Sequence, residues 1–267
     1  MRGLQDKVAI VTGGAASIGR AITESFHRAG TRVVIAARSQ DKGDALVAQL
    51  GPAVLFQRTD ITDDTHLRRL VDRALQAFGR LDFIVNNACS YADSGQRSTR
   101  DEWHATLDTN VVSGARLVEI AHPELAKRSG AVVNISSISA YAAQTGRWTY
   151  PVSKAAILQL TRLQAMDYAA DGIRVNSLVA GWTVSDPIEG LTGGDWDKAD
   201  KVAASFHLLG RLARATEVAE GVLFLCSDHA SFTTGSELKV EGGYLAMGPE
   251  QASPAIAQLT GGRATVT

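Results

Sequence analysis

Tyr150 and Lys154 stand four positions apart in the segment Tyr-Pro-Val-Ser-Lys. On a helix that spacing puts both side chains on one face. A free phenol, with a pKa of about 10, is a poor base at neutral pH. An ammonium beside it favours phenolate, and a pKa lowered toward the working pH improves general acid–base catalysis. Pro151 fits this reading if Tyr150 opens the helix, because a first turn tolerates a missing N–H. Tyr-x-x-x-Lys pairs also arise by chance, so the pair needs support from its surroundings.

The first support lies near the N-terminus. Thr12-Gly13-Gly14-Ala15-Ala16-Ser17-Ile18-Gly19 falls between an apolar run, Val8–Val11, and a helical pattern from about Ile18 to Ala29, which Gly30 is placed to end. Small residues there let a backbone approach a pyrophosphate, and the helix N-terminus adds free N–H groups and a favourable dipole. Gly13, Ser17, Ile18 and Gly19 are therefore candidate dinucleotide contacts. In such folds an acidic residue closing the second strand bonds the adenine ribose, whereas an arginine suits a 2′-phosphate. Here that strand ends in Ala36-Ala37-Arg38-Ser39, without a carboxylate. Arg38 and Ser39 favour NADP(H), with NAD(H) as the alternative. Asp60 and Ile61, just past the third strand, join the candidate coenzyme contacts.

Elements that could position these residues alternate along the chain. Thr31–Ala36, Ala53–Gln57, Leu81–Val85, Ala131–Ile135, Arg174–Val179 and Ser236–Val240 read as further strands, with amphipathic helices such as Asp63–Phe78 between them. Strands apolar throughout are buried on both faces, which suits a doubly wound α/β fold on a parallel sheet. We read 1–267 as one domain, with a substrate lid at about 183–215 and a poorly ordered tail at about 248–267. The composition, 45% hydrophobic and 21% charged with a net charge of −1, is that of an ordinary globular protein. It gives no reason to expect a nucleic-acid partner. No apolar run suggests a signal peptide or a bilayer span, so the expectation is a cytoplasmic protein without a membrane partner. Cys89 and Cys226 match no metal or redox spacing and read as free thiols. His27, His66, His104, His122 and His229 read as surface or helix residues, and no metal site is expected.

Three further segments complete an ordered set. Asn86-Asn87-Ala88 closes the fourth strand, Asn110 lies in a following helix, and Ser137 precedes Tyr150 by thirteen positions. With the first turn, they make the chain resemble the short-chain dehydrogenase/reductase family, in its compact branch, along nearly the whole length. Gly210 to Ala219 and Thr234 to Gly243 extend the likeness to the C-terminal third. The resemblance implies a Rossmann-like sheet of seven parallel strands, a nicotinamide coenzyme, a small-molecule substrate, and a homotetramer or homodimer. It implies that Asn110, Ser137, Tyr150 and Lys154 are catalytic, with Ser137 polarising the substrate oxygen and Asn110 holding a water that contacts Lys154. Ser136 competes with Ser137, and the spacing prefers Ser137. The coenzyme contacts implied also include Asn87, Ala88, Tyr150, Lys154, Thr183 and Ser185.

The chain departs from the family pattern at several points. Ser17 replaces the second glycine of the first turn, Cys89 follows Asn86-Asn87-Ala88 where glycine is usual, and Ala180-Gly181 replaces Pro-Gly. Thr183 replaces an aliphatic residue, Ser185 a threonine, and Glu241 an aspartate. None removes a catalytic group. Substrate contacts are expected at the open ends of the strands, in Cys89–Asp93, Ser139–Trp148, Trp182 and the segment after it. Cys89, Ser139, Arg147 and Trp182 are the first choices, and Gln144, Arg147, Trp148 and His207 together suit a sugar or polyol. The leading expectation is hydride transfer between the coenzyme and a secondary alcohol or ketone. A 3-oxoacyl thioester reductase is the alternative, and a catalytically silent dinucleotide-binding regulator is the reading from a different class. The latter is disfavoured because all four catalytic residues are present.

Overall fold

The computed structural model describes residues 1–248. The expected tail, about 248–267, lies outside the described residues apart from Gly248. Seven strands, β1 (Val8–Thr12), β2 (Arg32–Ala37), β3 (Val54–Arg58), β4 (Phe83–Asn86), β5 (Ala131–Ser137), β6 (Arg174–Ala180) and β7 (Glu237–Val240), form one sheet. Their order is β3-β2-β1-β4-β5-β6-β7, and all neighbours are parallel. The order reverses direction between β1 and β4, which places a crevice at their carboxyl ends.

Alternation along each strand divides the core. In β1, Ala9 and Val11 pack on one face, with α1 (Ser17–Arg28), α2 (Gln40–Leu50) and, through Val218 and Val222, α9 (Ala215–Cys226). Val8 and Ile10 pack on the other, with α3 (Asp64–Phe78), α5 (Ser113–Ala126) and α6 (Thr149–Tyr168). All five β1 side chains are buried, as a two-sided parallel strand requires. The edge strands β3 and β7 are partly exposed, which explains their weaker apolar pattern. Local signals set several helix ends: Asp63 caps α3 by accepting from Thr65 N–H at 2.7 Å, and Gly79 ends it in the left-handed region at φ 71°.

Two features differ from the sequence reading. Strand β4 begins at Phe83, because Leu81 and Asp82 lead into it: Asp82 is tied to the start of β1, its N–H donating to Val8 O at 2.9 Å. Asn110 lies in a π turn, Asp108–Val112, that joins α4 (Arg100–Leu107) to α5. After β6 the chain makes an excursion through α7 (Asp186–Thr192) and α8 (Trp196–Ala203). Its base is closed by Val184 N–H donating to Ala213 O at 2.9 Å and Ala213 N–H to Trp182 O at 2.8 Å.

Candidate active site

Helix α6 carries Tyr150 and Lys154, and its position on the sheet is fixed by buried polar bonds from consecutive residues of β5. Asn134 donates to Thr161 Oγ1 at 3.0 Å and Gln164 Oε1 at 3.1 Å. Ser136 Oγ donates to the Lys154 carbonyl at 2.9 Å, and Lys154 Nζ donates to the Ile135 carbonyl at 2.8 Å. Ser136 is thus committed to the helix backbone, and Ser137, at the strand end, is the serine beside Tyr150. Ser137 Oγ is itself held by Ser139, whose N–H and Oγ lie 3.2 and 2.9 Å away. Ser139 is buried and bonds Ser137 rather than lining an open pocket.

The N-terminus of α6 has no capping side chain of its own. Asp93 supplies one from the loop after β4. Its carboxylate accepts from Trp148 N–H at 2.8 Å, Tyr150 N–H at 3.0 Å and Gly95 N–H at 3.0 Å. Burial alone would raise this carboxyl, but these backbone donors outweigh it and hold the pKa below the usual carboxylate range. Asp93 therefore faces the helix start, which dictates its bonds to backbone rather than to an incoming ligand.

Around Tyr150 the surroundings are aromatic and cationic. Tyr91 stacks on its ring at 4.9 Å between centroids. Lys154 Nζ lies 5.5 Å and the Arg147 guanidinium 5.7 Å from the ring centre. Burial pushes the Tyr150 phenol above its ordinary range; Cys89 adds to this, while Ser137, Tyr91 and Arg147 oppose it. Burial likewise lowers Lys154 from the usual ammonium range. Burial thus works against the charged form of each, so the lowering of the phenol expected from a neighbouring ammonium is outweighed in the chain alone.

Asn110 is buried behind this pair. Its Oδ1 accepts from Ser90 N–H at 2.6 Å, and its amide donates to Ser90 O and to Ser153 Oγ at 3.1 and 2.9 Å. Thr12, Asn86, Asn110, Ser113 and Lys154 line a cavity of about 10 Å³, room for about one water. Asn86 Oδ1 is buried without a hydrogen-bond partner among the described residues, a polar atom that such a water would satisfy.

The first turn has the shape a pyrophosphate needs. Gly13 adopts φ 66°, and a Cβ there would meet Asn87 Nδ2 at 3.0 Å; on Gly19 a Cβ would lie 2.1 Å from Gly13 O. Only glycine allows this close approach. Helix α1 starts at Ser17 with no side-chain cap, so its first N–H groups face the crevice free of a local acceptor. Thr12 ties this turn to the end of β4, its Oγ1 accepting from Asn87 and Ala88 N–H at 3.0 and 3.1 Å. Ser17 sits at φ 49° and its hydroxyl donates to Asp186 Oδ1 at 2.6 Å while accepting from Asp186 N–H at 2.9 Å. That contact links the turn to the start of the excursion, where Lys42 also pairs with Asp186 at 3.2 Å. Ile18 packs against the core, Arg38 is exposed at the tip of β2, and Ser39 accepts from Lys42 N–H as the cap of α2. Asp60 Oδ1 closes a local turn with Thr62, and Ile61 is half-buried. Thr183 is buried with its hydroxyl on Gly181 O, and Ser185 precedes α7.

The structure revises part of the expected substrate pocket. His207 is buried: one ring nitrogen accepts from Trp182 N–H at 3.3 Å and the other faces Ala203 O at 3.0 Å, so it braces the excursion. Trp182 packs on Phe206 and His207. Trp148 is exposed, and Gln144 offers its carbonyl to Arg147 N–H at 3.3 Å. Cys89, half-buried and free, and Arg147 are the two candidates beside Tyr150. Asp93, Tyr91 and Ser153 shape the site without any fixed sequence spacing to announce them. Among the described residues no cluster of three metal-ligating side chains occurs, and no helix is long and apolar enough to cross a membrane.

The family model described as enoyl-(acyl carrier protein) reductase matches residues 13–245. The chain belongs to the short-chain dehydrogenase/reductase family. It is 37% identical to cis-4-hydroxycyclohexanecarboxylate dehydrogenase of Sinomonas cyclohexanicum, over 91% of this chain and 98% of that protein. It is similar to bovine (Bos taurus) L-fucose dehydrogenase, 34% identical over 95% and 96% of the two chains. A 3-oxoacyl-(acyl-carrier-protein) reductase of Thermotoga maritima is 32% identical over 90% and 98%. As a short-chain dehydrogenase/reductase, the protein is a nicotinamide-dinucleotide-dependent oxidoreductase acting on alcohols or ketones.

Proposed function

We propose that the protein transfers a hydride between NADP(H) and a secondary alcohol or ketone borne on a ring, such as a sugar, a polyol-like ring or a cycloalkanol. The observation that carries this reading is the convergence of Ser137, Tyr150 and Lys154 at the carboxyl end of β5, beside the glycine-rich turn. The flat, stacked pair of Tyr91 and Tyr150 supports a ring-bearing substrate, as do the names of two relatives, which act on a hydroxycyclohexanecarboxylate and on L-fucose.

The bound coenzyme supplies the hydride acceptor or donor, and its oxidised ring adds positive charge near the phenol. Gly13, Ser17, Ile18, Gly19, Asn87 and Ala88 would hold its phosphates and ribose against the crevice, and Thr183 and Ser185 its nicotinamide end. Arg38, exposed and in no ion pair among the described residues, would take a 2′-phosphate with Ser39, with Asp60 and Ile61 beside the adenine. Ser137 Oγ hydrogen-bonds the substrate oxygen, and Tyr150 Oη takes the hydroxyl proton in oxidation and returns it in reduction. Lys154 holds positive charge beside the phenol. A water in the cavity between Asn110 and Lys154 carries the proton onward.

The segment at about 183–215 acts as a lid over the crevice. Val152, Leu163 and Met166, exposed on α6, offer an apolar face for association into a dimer or tetramer.

Tyr150→Phe tests the reaction. Turnover should fall at least a thousandfold while coenzyme affinity stays within a few-fold, measured by absorbance of the reduced nicotinamide with cyclic alcohols, sugars, ketones and 3-oxoacyl thioesters. Retained turnover would overturn the role of Tyr150, and activity confined to the thioesters would replace the proposed substrate class.

A further inference from the structure

One cation in the candidate pocket has no part in the proton transfer just described. Arg147 lies in the turn between β5 and α6, half-buried, 5.7 Å from the Tyr150 ring centre and 6.0 Å from that of Tyr91. The two rings are stacked, so the guanidinium and both phenols form one aromatic and cationic wall beside the reacting group. The turn is held from behind. Asp93 fixes the N–H groups of Trp148 and Tyr150. Gly95 packs so closely on Gly146 that a Cβ on it would come within 2.9 Å of that carbonyl group.

Among the described residues the Arg147 guanidinium forms no ion pair and no hydrogen bond; exposed arginines such as Arg38 and Arg68 share this, but Arg147 is half-buried against two aromatic rings. The acid in the adjoining loop, Asp93, spends both oxygens on backbone N–H groups. Arg147 thus keeps its fork of donors for something outside the chain. Aromatic faces compensate a guanidinium only modestly, and its planar fork matches a carboxylate with two parallel bonds.

We propose that Arg147 is the receptor for a carboxylate on the substrate, which narrows the proposed ring-borne alcohol or ketone to a hydroxy or oxo acid. This rests on the reading of Tyr150 as the group that exchanges the proton at the substrate oxygen. A neutral ring alcohol would fit the same wall but leave the guanidinium unpaired. The receptor therefore acts on specificity, through a charge at the far end of the substrate.

The test compares 4-hydroxycyclohexanecarboxylate with cyclohexanol, which differ only in the carboxylate, on the wild type, Arg147→Gln and Arg147→Lys. The ratio of the two kcat/KM values should fall at least tenfold in Arg147→Gln and by less in Arg147→Lys. Any influence of Arg147 on the proton affinity of Tyr150 acts on both alcohols and cancels in the ratio. Binding of cyclohexanecarboxylate, which has no hydroxyl to oxidise, is measured by calorimetry on the coenzyme complex and should weaken at least tenfold in Arg147→Gln. An unchanged ratio, or no carboxylate binding to the wild type, overturns the receptor. If neither alcohol is turned over while carboxylate binding depends on Arg147, the ring-alcohol reading falls and the receptor stands. If both are turned over with ratio and binding indifferent to Arg147, the receptor falls and the reaction stands.

Discussion

Replacing Asp93 separates the anchoring of Tyr150 from its chemistry. Three backbone N–H groups, those of Gly95, Trp148 and Tyr150, lie between 2.8 and 3.0 Å from its carboxylate. The two at the start of α6 make the residue equivalent to a helix cap, whose loss costs about 1 kcal/mol and up to about 2. The third closes the loop turn and adds about 1 kcal/mol as a net hydrogen bond. Asp93→Ala should therefore lose about 2–3 kcal/mol, or roughly 5–10 °C in Tm for a chain of this size. Asp93→Asn keeps one acceptor oxygen and should lose about half as much. The pH dependence has a definite sign. Because the folded pKa is held below the unfolded one, the carboxylate stabilises fully above the ordinary Asp range. That advantage over Asn shrinks as pH falls through that range toward the folded pKa. With its helix start released Tyr150 drifts, and a misplacement of about 1 Å can cost about 100-fold in rate. Urea unfolding at several pH values and steady-state kinetics at neutral pH read the two effects. We expect kcat to fall at least tenfold in Asp93→Ala with coenzyme affinity within a few-fold. Stability within about 0.5 kcal/mol of wild type, the ordinary range for an unconstrained surface change, would refute the clamp. Lost stability with unaltered kcat would show that Asp93 anchors the loop but not the tyrosine.

Other changes test the coenzyme crevice. Ala37→Asp puts a carboxylate at the tip of β2 beside Arg38 and should shift the NADP(H)/NAD(H) ratio of kcat/KM toward NAD(H); an unchanged ratio would count against the 2′-phosphate assignment. Thr12→Val removes the oxygen that accepts from Asn87 and Ala88. It should cost about 2 kcal/mol in urea unfolding, with Thr12→Ser close to wild type. Ser17→Gly relieves a left-handed serine, worth about 1 kcal/mol, while losing both hydroxyl bonds to Asp186. Global stability should change little, while hydrogen exchange at the Asp186 N–H should quicken; unchanged protection there would show that Ser17 does not hold the excursion.

How legible each part was depends on whether its cause is local. The buried strands were readable because a two-sided parallel sheet leaves continuous apolar runs such as Val8–Val11 and Val33–Ala36. Gly13 and Gly19 were readable because their lack of a side chain is the mechanism. Tyr150 and Lys154 share a helix turn, so spacing carries their relation. Asp93 reads as part of the substrate segment because two of its partners, Trp148 and Tyr150, are distant in sequence, and nothing in its neighbourhood says which way it turns. His207 reads as a polar pocket residue for the same reason: its partners, Trp182 N–H and Ala203 O, are fixed by how the excursion folds back. The π turn at Asn110 has no sequence period of its own, so a helix was the natural reading.

The closure of the excursion at Trp182–Val184 and Ala213 has a consequence for how such a protein can change. The chain leaves the sheet and returns to nearly the same point, so the segment between hangs from one neck, with Asp186 (to Ser17 and Lys42) and Leu209 (to Gly242) as its further ties. Loop-closure entropy grows slowly with length, about 0.6 kcal/mol for each doubling. Residues inside the neck can be exchanged, shortened or lengthened while the strands, and the reacting groups they carry, keep their register. A graft from a relative with a different preference, joined at those two points, is the smallest transplant that could carry a new substrate range onto an unaltered reaction centre.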